Sequence, residues 1–242
     1  MPGFDNTPFA AAADTIAARV HSTHEFCREL ASVPLQFQPG TQYLYGVSYD
    51  VLGCIIEDVS GKPLSAFLTE KMFKPLGMNS TSFYVSGANL HRLSAIYALQ
   101  DGQVVEKRAA GEDPQPNYLS GGGGLRTTVN DFLRFCQMLA NGGELGGRRI
   151  LSANSVTLMT SNQVGKLYPS ASEGKGWGLG VETRTDGHAG PVYGWAGFHG
   201  NAFFVFSNAK TIAILMTQQF PSQEPDLREQ FEEAAARDIG RH

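Results

Sequence analysis

The chain has 242 residues, enough for one domain with a sizeable core. Its 19 basic and 23 acidic side chains give a formal net charge of −4 without any basic run, so neither nucleic acid nor an anionic membrane surface is predicted as a partner. The sequence contains no secretory signal and no apolar run long enough to span a bilayer.

The first helix signal lies near the N-terminus, where Ser22-Thr23-His24-Glu25 has the spacing of a capping box. Phe26, Cys27 and Leu30 follow as an apolar face, which predicts a helix of about two to three turns. His21 and His24 lie close together and leave a metal site open as an alternative. Two solvated histidines at a helix start are the favoured interpretation.

The stretch from Gln38 to Gly53 carries the strongest local pattern. Pro39-Gly40 predicts a turn, after which Tyr45 precedes a helix. Apolar residues at helical spacing, Leu52, Ile55, Ile56 and Val59, predict one buried stripe on that helix. Gly61 is expected to end the helix and Pro63 to open the next one. Tyr45 is therefore predicted to lie on a tight connection that aims its side chain rigidly into a cleft.

The three cysteines, Cys27, Cys54 and Cys136, form no Cys-x-x-Cys pair. Each lies in an apolar, helix-like stretch, and their number is odd. The pattern predicts three buried free thiols, and neither a metal site nor a disulfide framework.

A glycine run, 120–124, superficially resembles a phosphate-binding loop. It lacks the Gly-Lys-Ser/Thr ending that such a loop needs, so these glycines are predicted to permit backbone conformations closed to other residues. Between residues 100 and 118 the sequence is polar and predicts an extended surface loop. Thr128 is expected to cap a helix that ends at Asn141-Gly142-Gly143.

The last third predicts strands. Residues 177–182 alternate between apolar residues and glycine or glutamate, which predicts one strand. Apolar runs at 203–206 and 211–216 predict a hairpin, and 227–237 predict a helix that packs on the sheet. Helices first and an antiparallel sheet last predict the α+β class.

Several long segments, in order, resemble the serine β-lactamase-like hydrolases, and among them the class C β-lactamases and family VIII esterases. These segments are PGTQYLYGVSYDVLGCIIEDVSG, FLTEKMFKPLGMNSTSF, SGGGGLRTTVNDFLRFCQMLANGGELGGRRILS, GWGLGV and YGWAGFHGNAFFVFSNAKTIAILMTQ. The resemblance implies one β-lactamase/transpeptidase-like domain over 1–242, mainly helical in 1–160, with antiparallel strands and a C-terminal helix in 161–242. In the family, a further N-terminal part of the fold carries a Ser-x-x-Lys nucleophile motif, and this chain is expected to begin after it.

The resemblance places Tyr45 at the family's proton-transfer position beside the nucleophilic serine. A tyrosine with an ordinary pKa near 10 is a poor base at neutral pH unless cations stabilise its phenolate, and the family's lysine is one such cation. The lactamase pattern Tyr-x-Asn is Tyr45-Gly46-Val47 in this chain. The missing amide favours an esterase-like member of the family.

Trp195-Ala196-Gly197 occupies the place of the lactamase Lys-Thr-Gly triad, which esterase-like relatives replace with Trp-x-Gly or His-x-Gly. By this analogy the Phe198 N–H points at a developing oxyanion. His199 is polar and adjacent to the triad, so it is predicted to line the substrate pocket. His188-Ala189-Gly190 is a competing match in a loop, and it ranks lower.

Ser172-Glu173-Gly174-Lys175 also spells Ser-x-x-Lys, but its glycine-rich setting predicts a loop instead of the rigid helix that the chemistry needs. Two functions therefore stay open. One is part of a serine hydrolase acting on small-molecule esters, amides or β-lactams without cofactor or metal, and inert as this chain alone. The other is a non-catalytic binding or oligomerising module. An incomplete sheet would favour self-association. The location is left unknown with the cytoplasm favoured, since any N-terminal signal is expected to be missing from this chain.

Overall fold

The computed structural model of the protein describes residues 8–185, 190–220 and 225–239. The chain forms two compact units. The first comprises Met1–Pro75, Asn79–Tyr84 and Pro114–Thr127, and the second comprises Leu76–Met78, Val85–Asp113 and Thr128–His242.

The first unit is helical. Its helices are α1 (Pro8–Ala17), α2 (Thr23–Leu30), α3 (Ser48–Ser60) and α4 (Leu64–Leu68). α4 runs on through a π-helical turn (Thr69–Phe73) into a last turn, α5 (Lys74–Leu76), whose final residue is counted in the second unit. The core of the unit is apolar because α1 and α2 each present one hydrophobic face to the other. The buried residues of this core are Ala13, Ile16, Val20, Phe26 and Leu30.

Three helix boundaries in this unit follow the sequence prediction. The Ser22 hydroxyl accepts a hydrogen bond from the Glu25 N–H and caps α2, which confirms the capping-box interpretation. Gly61 ends α3 with a φ of 63°, a left-handed conformation that glycine adopts without steric cost. Pro63 stands immediately before α4, as predicted.

The predicted buried face of α3 is wrong. Val59 is 84% exposed, and Leu52 and Ile55 are about half exposed, whereas Asp50, Gly53 and Cys54 are the buried residues of this helix. The spacing correctly predicted an amphipathic helix. It could not show that a carboxylate, a glycine and a cysteine would face the interior of the unit.

The predicted state of the cysteines is also wrong. Cys27 of α2 and Cys54 of α3 form a disulfide, with their Cα atoms 6.6 Å apart, and Cys136 remains a buried free thiol. Spacing along the chain gave no indication of the pair, because 27 residues separate the partners and two helices bring them together.

The second unit contains the sheets. A hairpin of β1 (Ile96–Gln100) and β2 (Gln103–Arg108) occupies part of the region predicted as an extended loop, and a short ladder joins β3 (Glu144–Leu145) to β4 (Arg148–Arg149). The main sheet has five antiparallel strands in the order β5-β6-β7-β8-β9: β5 (Lys175–Trp177), β6 (Glu182–Arg184), β7 (Val192–Ala196), β8 (Ala202–Phe206) and β9 (Thr211–Leu215).

Helices pack on both faces of the main sheet. On one face, Val192, Phe204 and Phe206 pack against α8 (Pro225–Ile239). On the other, Phe203 meets Phe132 of α6 (Val129–Ala140) edge-on, with ring centroids 5.1 Å apart. The β8–β9 hairpin, the C-terminal helix and the helix capped by Thr128 are thereby confirmed, and so is the α+β class. A further helix, α7 (Ala153–Met159), precedes the sheet.

One strand prediction in this unit is wrong. The alternating stretch 177–182 is the end of β5 and the start of β6, joined by a turn in which the Gly178 N–H donates to the Val181 carbonyl at 2.8 Å. Gly180 has a φ of 109° in this turn, a conformation that glycine adopts readily and that reverses the chain.

Candidate active site

Tyr45 lies in the first unit, on the irregular connection between α2 and α3. It is half-buried and stands three residues before Ser48, the first residue of α3. The Pro39-Gly40 turn upstream is present, with Gly40 at a φ of 83° and the Thr41 N–H bonded to the Gln38 carbonyl. Tyr45 therefore occupies the predicted place at the entry to a helix.

A buried carboxylate fixes the first turn of that helix. Asp50 is 5% exposed, and it accepts hydrogen bonds from the Ser120 hydroxyl and the Gly122 N–H of the 120–124 loop. Burial raises the pKa of Asp50 above its usual range, and these two hydrogen bonds oppose the rise. Within the described residues, its Oδ1 atom has no hydrogen-bond partner. Sequence reasoning missed this residue, although an acidic residue in a first helical turn is a detectable signal.

The 120–124 loop packs directly on α3, and this explains two of its glycines. A Cβ on Gly121 would lie 2.2 Å from the Tyr49 carbonyl oxygen, and one on Gly122 would lie 2.7 Å from Asp50 Oδ2. A Cβ on Gly123 would meet no heavy atom within 4 Å. None of these glycines has a positive φ. The predicted reason for the glycine run, unusual backbone conformation, is therefore wrong, and close approach of the loop to the helix replaces it.

Two side-chain contacts tie α2 to α3, the helices that flank the connection carrying Tyr45. Besides the Cys27–Cys54 disulfide, His24 places Nδ1 3.1 Å from Glu57 Oε2 and Nε2 2.5 Å from Asp58 Oδ1. The hydrogen bond to Asp58 contributes most to a raised pKa of His24. His24 is thus an ion-pairing residue, and the described residues contain no cluster of three or more His, Cys, Asp or Glu side chains suited to a metal ion.

The other predicted site residues lie together in the second unit, where β7 turns into β8. Trp195 and Ala196 end β7, and Gly197, Phe198 and His199 form the turn that follows. The turn is closed by the Gly197 N–H, which donates to the Asn201 carbonyl at 2.8 Å, and by the Gly200 N–H, which donates to the Gly197 carbonyl at 3.1 Å. This turn is called the 197–201 turn below.

The chain segment after β9 holds the 197–201 turn in place. The Thr217 hydroxyl and the Gln219 N–H both donate to the His199 carbonyl, at 2.6 and 3.2 Å, and the Thr217 N–H donates to Asn201 Oδ1 at 2.9 Å. Within the part of the chain that the structure describes, the Phe198 N–H donates to no acceptor. A fixed turn with an available N–H is the arrangement that stabilises a developing oxyanion, because its dipole needs no reorganisation.

Aromatic rings surround this turn on two sides. Trp195 packs edge-on against Trp177 of β5, with centroids 4.5 Å apart. Phe220 lies 6.0 Å from the Phe198 ring and 5.0 Å from the His199 ring. Sequence reasoning missed Phe220, because no motif marks it and only the hydrogen bonds between the turn and residues 217–219 bring it to the site.

Two stretches of the chain spell Ser-x-x-Lys, and neither lies on an α-helix. Ser172 belongs to a three-residue 3-10 turn, Gly174 has a φ of 71°, and Lys175 already begins β5 and pairs with Glu173. The predicted hairpin turn at 207–210 is a second such match, Ser207-Asn208-Ala209-Lys210, and it lies in the exposed β8–β9 turn. The competing His-x-Gly match is His188-Ala189-Gly190, and its first two residues lie outside the described residues.

Comparison with known proteins decides the family. The β-lactamase family model matches residues 2–237, nearly the entire chain. The chain belongs to the serine β-lactamase-like hydrolase family. An uncharacterized protein of Mycobacterium tuberculosis is 31% identical over 215 residues, which cover 81% of this chain and 54% of the relative. Esterase EstB of Burkholderia gladioli is 28% identical over 232 residues, which cover 84% of this chain and 56% of the esterase.

Solved structures show the same fold. EstCE1, described as a hydrolase with promiscuous acyltransferase activity, superposes on this chain with a TM-score of 0.79 at 22% sequence identity. The superposition covers 96% of this chain and 66% of the EstCE1 chain. The predicted β-lactamase/transpeptidase-like α+β fold is thereby confirmed. The chain spans about half the length of the curated relatives that it matches. None of the described helices combines the length and apolarity that a membrane span requires.

Proposed function

We propose that this chain carries the proton-transfer tyrosine and the oxyanion-binding turn of a serine hydrolase that cleaves small-molecule esters through an acyl-enzyme. The observation that carries the proposal is the 197–201 turn, which is hydrogen-bonded at both ends and leaves the Phe198 N–H available. The family membership and the similarity to EstB support the same reaction class.

In this proposal, a serine oxygen attacks the ester carbonyl carbon while the phenolate of Tyr45 takes the serine proton. The carbonyl oxygen becomes an oxyanion that accepts a hydrogen bond from the Phe198 N–H. When the bond to the leaving alcohol breaks, Tyr45 returns the proton to that oxygen. Water then attacks the carbonyl carbon of the acyl-serine while Tyr45 takes a proton from the water. Tyr45 returns this proton to the serine oxygen as the ester bond to the serine breaks and the acid is released.

The serine and its lysine are not assigned to either match in this chain. Both Ser172 and Ser207 lie in turns, and neither setting fixes a lysine amine against the hydroxyl as one helical turn does. We therefore expect the 242-residue chain alone to hydrolyse neither esters nor β-lactams, since loss of a nucleophilic serine can lower kcat by a factor of about 10⁶.

The test has two measurements. The first is turnover of p-nitrophenyl butyrate and nitrocefin by the purified chain, with a fluorophosphonate probe to label any reactive serine. The second is the same assay on the full open reading frame that contains this chain, whose upstream part we propose encodes a helical Ser-x-x-Lys. Stoichiometric labelling of Ser172 or Ser207 in the folded chain, or an upstream segment without that motif, would overturn the proposal.

In the protein expressed with its upstream segment, Tyr45→Phe should lower kcat by about two to four orders of magnitude, the usual contribution of a general acid–base group. Binding of substrate should change far less. Tyr84, an exposed tyrosine of the same unit, gives the matched control Tyr84→Phe, which should leave kcat unchanged. A Tyr45→Phe enzyme within threefold of the wild type would contradict the role of Tyr45.

A further inference from the structure

The exposed aromatic rings beside the 197–201 turn are not explained by the oxyanion role of the Phe198 N–H. Phe198 is 38% exposed and Phe220 is 43% exposed, although burial of such rings is normally favourable. Their centroids are 6.0 Å apart at an interplanar angle of 60°, and the His199 ring lies 5.0 Å from Phe220. Phe198, His199 and Phe220, called the aromatic face below, form one continuous surface.

The position of the aromatic face is set by the same bonds that fix the turn. The His199 carbonyl accepts from both Thr217 and Gln219, so the residue next along the chain, Phe220, is held beside the turn. The Phe220 N–H is itself anchored to the Tyr97 carbonyl at 2.7 Å. The rings are therefore presented by a rigid backbone, which lowers the entropy cost of binding a flat ligand.

The segments that form the aromatic face carry no permanently charged side chain. Residues 195–201 and 217–220 contain no Lys, Arg, Asp or Glu, so these segments supply no permanent cation to hold a substrate carboxylate. Gly197 leaves open space where a side chain would begin. The Phe198 ring is joined to the Phe198 N–H through Cα and Cβ only, so a carbonyl bound at that N–H places its substituents within reach of the rings.

We propose that the aromatic face is a specificity subsite that binds an aromatic acyl group of a neutral ester, with Phe220 as its specificity-determining residue. Offset or edge-on contact with Phe198 and Phe220 distinguishes an arylacetyl ester from a short alkanoyl ester and from a peptide that ends in a carboxylate. The assignment of the acyl group rests on the proposed function, because the carbonyl of the bound ester is placed at the Phe198 N–H.

The experiment measures binding, so that it does not depend on turnover. The chain, labelled with ¹³C in its phenylalanine rings, is titrated with methyl phenylacetate, methyl acetate and N-acetyl-D-alanyl-D-alanine, and the ring signals are followed by NMR. Methyl phenylacetate should shift the Phe198 and Phe220 signals and bind at least about fivefold more tightly than either comparison probe, the scale of one or two aromatic contacts.

Variants identify the rings responsible. Phe220→Leu should weaken binding of methyl phenylacetate about three- to tenfold, and Phe220→Tyr, which keeps the ring, should restore it. Tyr84→Leu removes an equally exposed ring from the other unit and should change binding by less than twofold. Unchanged circular dichroism of each variant shows that the fold is intact, and the Phe220→Tyr rescue distinguishes loss of the ring from loss of the fold.

Equal affinity for methyl phenylacetate and methyl acetate, tighter binding of the carboxylate peptide, or no effect of Phe220→Leu would each overturn the subsite. Failure of the proposed function gives a different result. In that case methyl phenylacetate still binds at the aromatic face, but Tyr45→Phe has no effect on hydrolysis by the protein expressed with its upstream segment.

Discussion

Removal of the Cys27–Cys54 disulfide should destabilise the first unit by a predictable amount. The bond closes a loop of 27 residues, and this loop contains the whole connection that carries Tyr45. In the chain-entropy description, a loop of this length restricts the unfolded state by about 12 cal/mol/K, or about 3.5 kcal/mol at 25 °C. For a chain of this size such a change corresponds to a fall in Tm of about 7–14 °C.

The assay is thermal unfolding of the wild type and of Cys27→Ser/Cys54→Ser, each with and without dithiothreitol. The wild type should lose stability when reduced, and the double variant should already have the lower Tm and not respond to the reductant. Cys136→Ser is the matched control, because Cys136 is a buried thiol outside the cross-link, and this variant should keep its response to dithiothreitol.

Thiol counting gives the result that would refute this reasoning. Under denaturing conditions without reductant, the wild type should show one titratable thiol. Three thiols, together with a Tm that does not change with dithiothreitol, would mean that the two helices hold their positions without a covalent link.

Three further predictions concern the contacts around α3. Because His24 has a raised pKa in the folded state, its ion pairs stabilise the protein below pH 6.5, and this stability is lost as the pH rises through the folded pKa. His24→Gln should flatten this part of the profile of stability against pH, whereas the control His21→Gln should not. Gly121→Ala should cost about 1–3 kcal/mol in urea unfolding because its Cβ meets a backbone carbonyl, while Gly123→Ala, which meets nothing, should be nearly neutral. Burial raises the pKa of Asp50, so its contribution favours folding at acid pH and is lost as the pH rises through the folded pKa; Asp50→Asn should remove that dependence from the stability profile measured between pH 3 and 7.

Sequence patterns predicted the features that depend on neighbours along the chain. The capping box at Ser22 and the β8–β9 hairpin are set within a few residues, and both were predicted correctly. The interior face of α3 depends instead on what packs against it. An apolar stripe at Leu52 and Val59 looks the same in the sequence whether it is covered or, as here, exposed.

The residues of the candidate active site also divide into those that neighbours along the chain position and those that distant segments position. Trp195 to His199 were predicted to lie together because they are consecutive in the chain, and a hairpin turn presents them. Phe220 and Asp50 were missed as parts of their sites, since each owes its place to hydrogen bonds with a segment far away in the sequence. The Tyr45 motif and the acidic residue in the first turn of α3 are both visible in the sequence, but the burial of Asp50 under the 120–124 loop is not.

The disulfide also bears on where the protein acts, because disulfides persist in oxidising compartments and are rare in the cytosol of most organisms. The predicted cytoplasmic location carries little weight against a covalent bond between two helices, because any N-terminal signal was expected to be missing from this chain. If the protein folds in an oxidising compartment, the chain isolated from its natural host under thiol-trapping conditions should carry an intact Cys27–Cys54 bond and one trapped thiol at Cys136. Trapping of all three thiols in freshly lysed cells would instead support the cytoplasmic location, and the bond would then form only after the protein is exposed to air.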